Sequence, residues 1–340
     1  MFTALAIEDP KFTDENWRQF FDLHVDMRRR YNINFSSRTW QELKKKHVTL
    51  QNIDEISDCL AIMHHDKPVG WLDFFGTNQG TPEERFHVSL NACFDEFPEE
   101  LIYRMAGWCR EFLRRYDSDK AFGTSNDRRV DAVFQAWQAR RLSRFDEYVL
   151  YRDKADTAIM RKWIDEISGA NGDLRLEFYE ELPDHLIAGF AAILTETLGD
   201  MPEERESDMV FHVTPEQIKK FQKWRRENET PAFCYSLHDP GGKIVAFTVA
   251  EVRRSNPELI YQHMTGVTED YRGRGLSKWL KAVMFFKMGE LFPENKRIMT
   301  FMRAINEPIQ RVNAAIGYKI ERGGYEYQLT AAMLDNFLKR

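Results

Sequence analysis

The stretch Ile260–Lys281 reads IYQHMTGVTEDYRGRGLSKWLK, and it decides how the rest of the chain is read. Ile260 to Val267 is an expected strand. The chain then turns through Arg272-Gly273-Arg274-Gly275 and continues as an expected helix from Leu276. A strand that feeds a Gly-rich turn at a helix N-terminus makes a ready anion site. The first amides of the helix lack intrahelical acceptors, and the positive end of the macrodipole points the same way. Gly273 and Gly275 permit close backbone approach, while Arg272 and Arg274 add charge. The P-loop pattern G-x-x-x-x-G-K-[ST] and the dinucleotide pattern G-x-G-x-x-G are both absent. An ordinary turn can also carry R-G-x-G, so the turn alone leaves both readings open.

Composition narrows the class. The chain has 340 residues, enough for two domains of ordinary size, with 43% hydrophobic and 30% charged residues. Its net charge of -6 argues against a broad nucleic-acid surface. No apolar run reaches the roughly 20 residues that a membrane span needs. The start, Met1-Phe2-Thr3-Ala4-Leu5-Ala6-Ile7-Glu8-Asp9, has no basic region ahead of its apolar residues, so no signal peptide is expected. Cys59, Cys93, Cys109 and Cys234 are scattered with no CxxC pair. The expectation is a reduced, cytoplasmic protein without a metal site.

The expected elements repeat. In the first half they are a strand from Phe2 to Ile7, a helix from Glu15 to Arg30 capped by Asp14, and a short helix over 39–46. A hairpin around His64-His65, a strand over 86–94, and a helix over 99–116 follow. A strand over 120–125, a helix over 128–141 and a strand over 145–151 complete this half. A helix over 156–168 and the cluster Gly169-Ala170-Asn171-Gly172-Asp173 come next. The same order then recurs, with a capped helix start at Thr214-Pro215-Glu216-Gln217 and a hairpin turn at Asp239-Pro240-Gly241-Gly242. The offset is about 174 residues, which suits a duplicated domain. At that offset Cys93 to Leu101 falls on Val267 to Gly275 without a gap. The two arginines become Pro98 and Glu100, and the two glycines become Glu99 and Leu101. Acid repels a pyrophosphate and side chains block close approach, so the first copy reads as one without the anion site.

Arg272-Gly273-Arg274-Gly275-Leu276-Ser277 resembles motif A of the GNAT N-acetyltransferases, [QR]-x-x-G-x-[GA], with Ser277 in place of the last small residue. Asn306 to Tyr318 resembles motif B of the same family, although Ile309 stands where a small residue is usual. The tandem two-domain type similar to mycothiol synthase is the nearest resemblance, through T-G-V before R-G-R-G-L and V-N before G-[FY]. It implies two tandem α/β (α+β) domains, each a mixed, mostly antiparallel sheet flanked by helices. The expected division is a degenerate domain over 1–155, a linker helix and turn over 156–172, and an active domain over 173–340. The resemblance further implies acetyl-CoA as co-substrate. Thr265, Gly266 and Val267 would lie along its pantetheine. Arg272, Gly273, Arg274, Gly275, Leu276 and Ser277 would hold its pyrophosphate. Asn306 and Asn313 would lie near the arm, with Asn306 also a candidate helix cap.

Catalytic candidates follow from the chemistry. Attack by an amine needs a base, because an ammonium has no lone pair. Simple alternation would place Tyr261, His263 and Thr265 on the face opposite Gln262 and Met264. Histidine as a residue type suits proton transfer near neutral pH, and the offset of His263 from Val267 matches a catalytic position in relatives. Glu251, on the neighbouring strand, is the second candidate, and either residue could instead be structural. Many relatives carry a tyrosine acid at the position of Asn313, and an amide only hydrogen-bonds. Met302 stands where an asparagine is usual, which leaves Tyr325 and Tyr327 as candidate proton donors. The acidic run Glu203, Glu204, Glu206 and Asp208 would attract a cationic small-molecule amine, or is solvated surface. The expected activity is acetyl transfer to such an amine, with no nucleic-acid or membrane partner. Two rivals are an acetyl-CoA sensor without turnover and an aminoacyl-tRNA-dependent peptidyl transferase.

Overall fold

The computed structural model describes residues 1–31, 39–50, 55–77, 86–199, 212–254, 256–303 and 306–340. Two compact units result: Met1–Arg144 with Gly324–Arg340, and Phe145–Gly323. This division differs from the expected one in two ways. The segment expected as a linker is helix α5 (Thr157–Ala170), whose Met160 and Trp163 belong to the core of unit 2. The segment Gly324–Arg340, which holds the latter part of the last strand and the last helix, in turn belongs to unit 1.

Unit 1 contains β1 (Phe2–Ala6), α1 (Asp14–Tyr31), α2 (Trp40–Leu50), β2 (Glu55–His64), β3 (Lys67–Thr77), β4 (His87–Ala92), α3 (Glu99–Arg115), β5 (Lys120–Ser125) and α4 (Arg128–Ala136). Its sheet runs β1-β2-β3-β4-β5 and is completed by Tyr325 to Thr330 of β12 (Lys319–Thr330). Helix α1 is capped by Thr13 rather than Asp14. Thr13 Oγ1 accepts from Asn16 N–H at 3.3 Å, and Asn16 Oδ1 accepts from Thr13 N–H at 2.9 Å. The expected helix over 128–141 stops at Ala136, where Trp137 and a left-handed Gln138 turn the chain into β6 (Arg140–Tyr151). The C-terminal helix α10 (Ala331–Leu338) had no counterpart among the expected elements.

Unit 2 repeats the order with β7 (Arg175–Tyr179), α6 (Asp184–Gly199), α7 (Pro215–Glu227), β8 (Ala232–His238), β9 (Ile244–Arg253), β10 (Asn256–Val267), α8 (Leu276–Leu291), β11 (Arg297–Arg303) and α9 (Glu307–Ile316). Helix α7 starts with the expected capping box between Thr214 and Gln217. The sheet runs β7-β8-β9-β10-β11 and is completed by Phe145 to Tyr151 of β6. Each sheet is antiparallel except at one central pair, β4 with β5 and β10 with β11. Helices α5, α8 and α9 pack on one face of unit 2, through Trp163, Leu280, Phe285 and Ile316. Helices α6 and α7 cover the other, through Phe190 and Ile218. Burial of each such side chain is worth about 1.5–3 kcal/mol. No described helix is long and apolar enough to cross a membrane.

Candidate active site

Strand β10 departs from simple alternation where the site lies. Its register with β9 jumps between Gln262↔Ala250 and Thr265↔Thr248, which places a β-bulge at His263 and Met264. The extra residue reverses the parity beyond it. Thr265 shares a face with Gln262, because both reach Thr248. Thr265 Oγ1 lies 2.7 Å from Thr248 Oγ1, and Gln262 Nε2 donates to Thr248 Oγ1 at 3.3 Å. The expectation that grouped Thr265 with His263 is therefore corrected. Pairing between β10 and β11 ends at Tyr261↔Met299, although the strands continue to Val267 and Arg303. The two strands part there, and Gln262 to Val267 keeps a backbone edge that is not laddered to β11.

The loop after β10 takes the shape expected of an anion cradle. Gly273 and Gly275 are left-handed, with φ of 77° and 79°. An L side chain is strained at either position, which is the physical reason for both glycines. Gly275 is the N-cap of α8 and its carbonyl accepts from Lys278 and Trp279. The amides of Leu276 and Ser277 precede any intrahelical acceptor and face out of the first turn. Arg272 is exposed and its Nε donates to Val267 O at 3.3 Å. Arg274 bonds Asn171 Oδ1 at 2.7 Å and Asp173 at 3.2 Å, so its charge ties the loop to the end of α5. Gly266 is packed tightly, since an added Cβ would lie 2.6 Å from the Phe247 ring.

The two base candidates form a pair. His263 Nε2 lies 3.3 Å from Glu251 Oε2, with His263 half exposed and Glu251 nearly buried. Arg225 Nε reaches the same carboxylate oxygen at 3.5 Å. Burial raises the Glu251 pKa, but the His263 hydrogen bond and the charges of His263, Arg225 and Arg253 outweigh it and hold the carboxyl below its ordinary value.

Asn313 is fully buried on α9. Its Nδ2 lies 3.3 Å from Met302 Sδ, so the two departures from the family pattern touch each other. Its Oδ1 is buried and accepts no hydrogen bond among the described residues. An orphaned amide oxygen beside parted strands fits an incoming amide N–H, such as pantetheine carries. Asn306 occupies the N-cap position of α9 but makes no side-chain capping bond, contrary to expectation. Gly317 closes the helix with φ 101°. Tyr325 and Tyr327 are part of unit 1: both pair with β5, and Tyr327 Oη donates to Asp131 at 2.9 Å. The acidic run at 203–208 lies outside the described residues.

Sequence reading missed a buried polar chain behind β10. Lys281 Nζ donates to Gln262 Oε1 at 3.0 Å, and Tyr318 Oη donates to the same oxygen at 3.0 Å. Burial lowers the Lys281 pKa to about 7 and raises that of Tyr318. A signal was present, because α8 buries residues on nearly every side and a lysine there has nowhere to go. In unit 1, His47, Cys59 and Asp73 bring ligand-type atoms within 4.8 Å of one another. Trp71 Nε1 donates to Asp73 at 2.9 Å, and burial with the Asp73 charge pushes the Cys59 thiol well up. That chemistry is a neutral thiol held beside a carboxylate.

No protein-family model matches the chain, and no curated protein matches it. Solved structures do. A tandem GNAT protein from the clavulanic acid biosynthesis pathway, solved without acetyl-CoA, superposes with a TM-score of 0.74 at 18% identity, covering 97% of this chain and 98% of that one. A GCN5-related N-acetyltransferase from Sphaerobacter thermophilus gives 0.64 at 11% identity, covering 97% and 96%. A glucosamine N-acetyltransferase region of a fungal multi-domain GH3 beta-N-acetylglucosaminidase gives 0.65 at 10% identity, covering 97% of this chain and 38% of that one. The likeness shows the fold: GNAT-type units in tandem, each a mixed, mostly antiparallel sheet flanked by helices.

Proposed function

We propose that the chain is an acetyl-CoA-dependent N-acetyltransferase acting on a small-molecule amine, with one active site, in unit 2. The observation that carries this reading is the loop Arg272 to Ser277. Two left-handed glycines and the amides that open α8 lie directly beyond a strand that has parted from its neighbour. Acetyl-CoA, when bound, supplies an activated acyl thioester. Gly273, Gly275, Leu276 and Ser277 present backbone to its pyrophosphate. The free edge of Thr265 to Val267 aligns the arm, and Asn313 Oδ1 accepts from an amide of it.

His263 takes the proton of the attacking amine. Its Nε2 faces Glu251, which leaves Nδ1 as the accepting atom. The Glu251 carboxylate orients the ring and stabilises the imidazolium that forms. Held ionised by its neighbours, Glu251 is a weak base and a good positioning group. An assay of thiol release with acetyl-CoA and an amine panel, with products checked by mass, tests the reading. At least one amine should gain an acetyl group at a rate that saturates.

The second reading, an acetyl-CoA sensor, is favoured by one observation: Asn313 sits where relatives carry an acid, and its Nδ2 is spent on Met302. Tight cofactor binding with no acetylation of any amine would select it. In either reading unit 1 is a copy without a cofactor site, and the chain is soluble and cytoplasmic.

A further inference from the structure

A second concavity lies on the α6/α7 face of unit 2, apart from the parted strands. It is a cavity of about 330 Å³ between α7, the segment leading into α6, and strands β8 and β9. Its floor is apolar, built from Leu182, Phe190, Ile218, Phe233 and Val249. Such a volume is at the lower end of what small-ligand sites use, about 300–1,000 Å³.

The charges around it are unevenly spent. Arg226 is paired with Glu181, and Arg225 with Glu251. Arg254, Glu180 and Glu229 also line the cavity, and their side chains form no ion pair or hydrogen bond among the described residues. Gln222 spends its Nε2 on Glu181 at 3.1 Å and on Leu182 O at 3.0 Å. That leaves Gln222 Oε1 buried with no donor among the described residues. A buried acceptor without a partner costs free energy that a ligand N–H would recover. Arg225 connects the cavity to the proposed chemistry, since it lines the one and contacts Glu251 of the other.

We propose that this cavity binds an apolar α-amino acid. Its side chain lies on the apolar floor, its carboxylate meets Arg254, and its ammonium is balanced by Glu180 and Glu229 with an N–H to Gln222 Oε1. One cation and two carboxylates uncommitted among the described residues, over an apolar floor, suit a zwitterion better than a simple amine or a simple acid. The stronger form, in which this amino acid is the acetyl acceptor and reaches His263 past Arg225, rests on the function proposed above.

Calorimetry on the full chain without acetyl-CoA tests the site by itself, using L-leucine and L-phenylalanine against isopentylamine and phenethylamine. The amino acids should bind at least about tenfold more tightly than the amines that lack the carboxylate. Arg254→Gln, at an exposed position, should erase that preference. Ile218→Trp should fill the cavity and weaken binding of both amino acids by at least about tenfold, with its fold checked by circular dichroism. Absence of amino-acid binding, or binding untouched by both substitutions, overturns the site. Binding that responds to Arg254→Gln without any acetyl transfer keeps the site and removes the acceptor role. Transfer to an amine with a KM indifferent to both variants keeps the transferase and removes the cavity.

Discussion

The loops after β4 and β10 occupy the same place in two repeats and are solved oppositely. In unit 2 the chain passes through two left-handed glycines, and α8 opens at Leu276 with its amides uncovered. In unit 1 the helix begins earlier in the alignment, at Glu99, behind Pro98 with φ -58°. The carbonyls at the end of β4 are also occupied. Arg129 donates to Ala92 O at 3.1 Å and to Phe94 O at 2.6 Å, and Asp127 neutralises it. One repeat therefore fills the opening beside its parallel pair with its own guanidinium. The other leaves Asn313 Oδ1 without a donor among the described residues. The contrast lies in internal contacts as well as in the glycines: unit 1 commits a guanidinium to the carbonyls of Ala92 and Phe94, where the loop arginine Arg272 of unit 2 reaches Val267 O.

The largest expected effect breaks the loop proposed to bind the cofactor. Gly275→Glu puts a side chain where φ is 79° and where a Cβ would already lie 3.1 Å from Ile167, and it adds a negative charge. Calorimetry with acetyl-CoA should go from one site per chain to none. The reciprocal change, Glu99→Gly, should leave the stoichiometry at one, because Arg129 still fills the opening. Two sites in the unaltered protein would end the asymmetry between the repeats.

The chemistry should follow the same division. His263→Ala should lower kcat by about 10²- to 10⁴-fold while leaving acetyl-CoA affinity nearly intact. Glu251→Gln should cost less, since it removes only the positioning group. Because Glu251 is held below its ordinary pKa, it stays ionised through the neutral range. The acidic limb of kcat/KM should therefore persist in Glu251→Gln. The sign for stability is equally defined. A depressed carboxyl stabilises the fold above its unfolded value and ceases to do so as pH falls through the folded one. Glu251→Gln should therefore be less stable than the parent at neutral pH and equal to it in strong acid. If Glu251→Gln abolishes the limb and His263→Ala does not, the roles are reversed.

Much of this site was legible because it is written in glycines. Gly273 and Gly275 mark left-handed turns from sequence alone, and Thr214 with Gln217 marks a helix start in the same way. The bulge at His263 and Met264 was not legible. Gln262 to Thr265 reads as plain alternation, and only pairing against β9 reveals the extra residue. The pairing of His263 with Glu251 was hidden for the same reason, since cross-strand partners depend on register. The exchange of final strands was equally silent. Residues 325–330 look like a strand in either unit, and no local property says that β5 is their neighbour. The cap of α1 was misread by one position, because Asp14 and Thr13 are both good caps and the reciprocal bond to Asn16 decides between them.

A smaller effect concerns the filled opening of unit 1. Arg129→Met leaves the Asp127 carboxylate without its main partner and two carbonyls without their donor. Breaking a pair this buried costs about 3 kcal/mol. Denaturant unfolding of the full chain should show unit 1 weakened by about that amount, with acetyl-CoA stoichiometry still one. A second site appearing in Arg129→Met would mean that the guanidinium alone had closed the first repeat.

The smallest effect lies behind the loops, where the repeats differ again. At the same offset Lys281 of α8 corresponds to Gly107 of α3. Unit 2 thus buries an amine where unit 1 has no side chain. With the Lys281 pKa lowered to about 7, the folded chain releases this proton near neutrality, whereas the unfolded chain holds it up to about 10.4. Between those values the unfolded state binds more protons, so this residue makes stability rise with pH. From pH 7 to 8 the rise should be about 1 kcal/mol, and below pH 7 the cost of burying the charge is fully expressed. Lys281→Met removes the titration without orphaning Gln262 Oε1, which still accepts from Tyr318 at 3.0 Å. Denaturant curves at pH 7 and 8 should show the parent gaining on Lys281→Met by that amount. Equal changes in the two proteins would mean that Lys281 keeps its proton in the fold, held by Gln262 and the Tyr318 ring more strongly than burial opposes it.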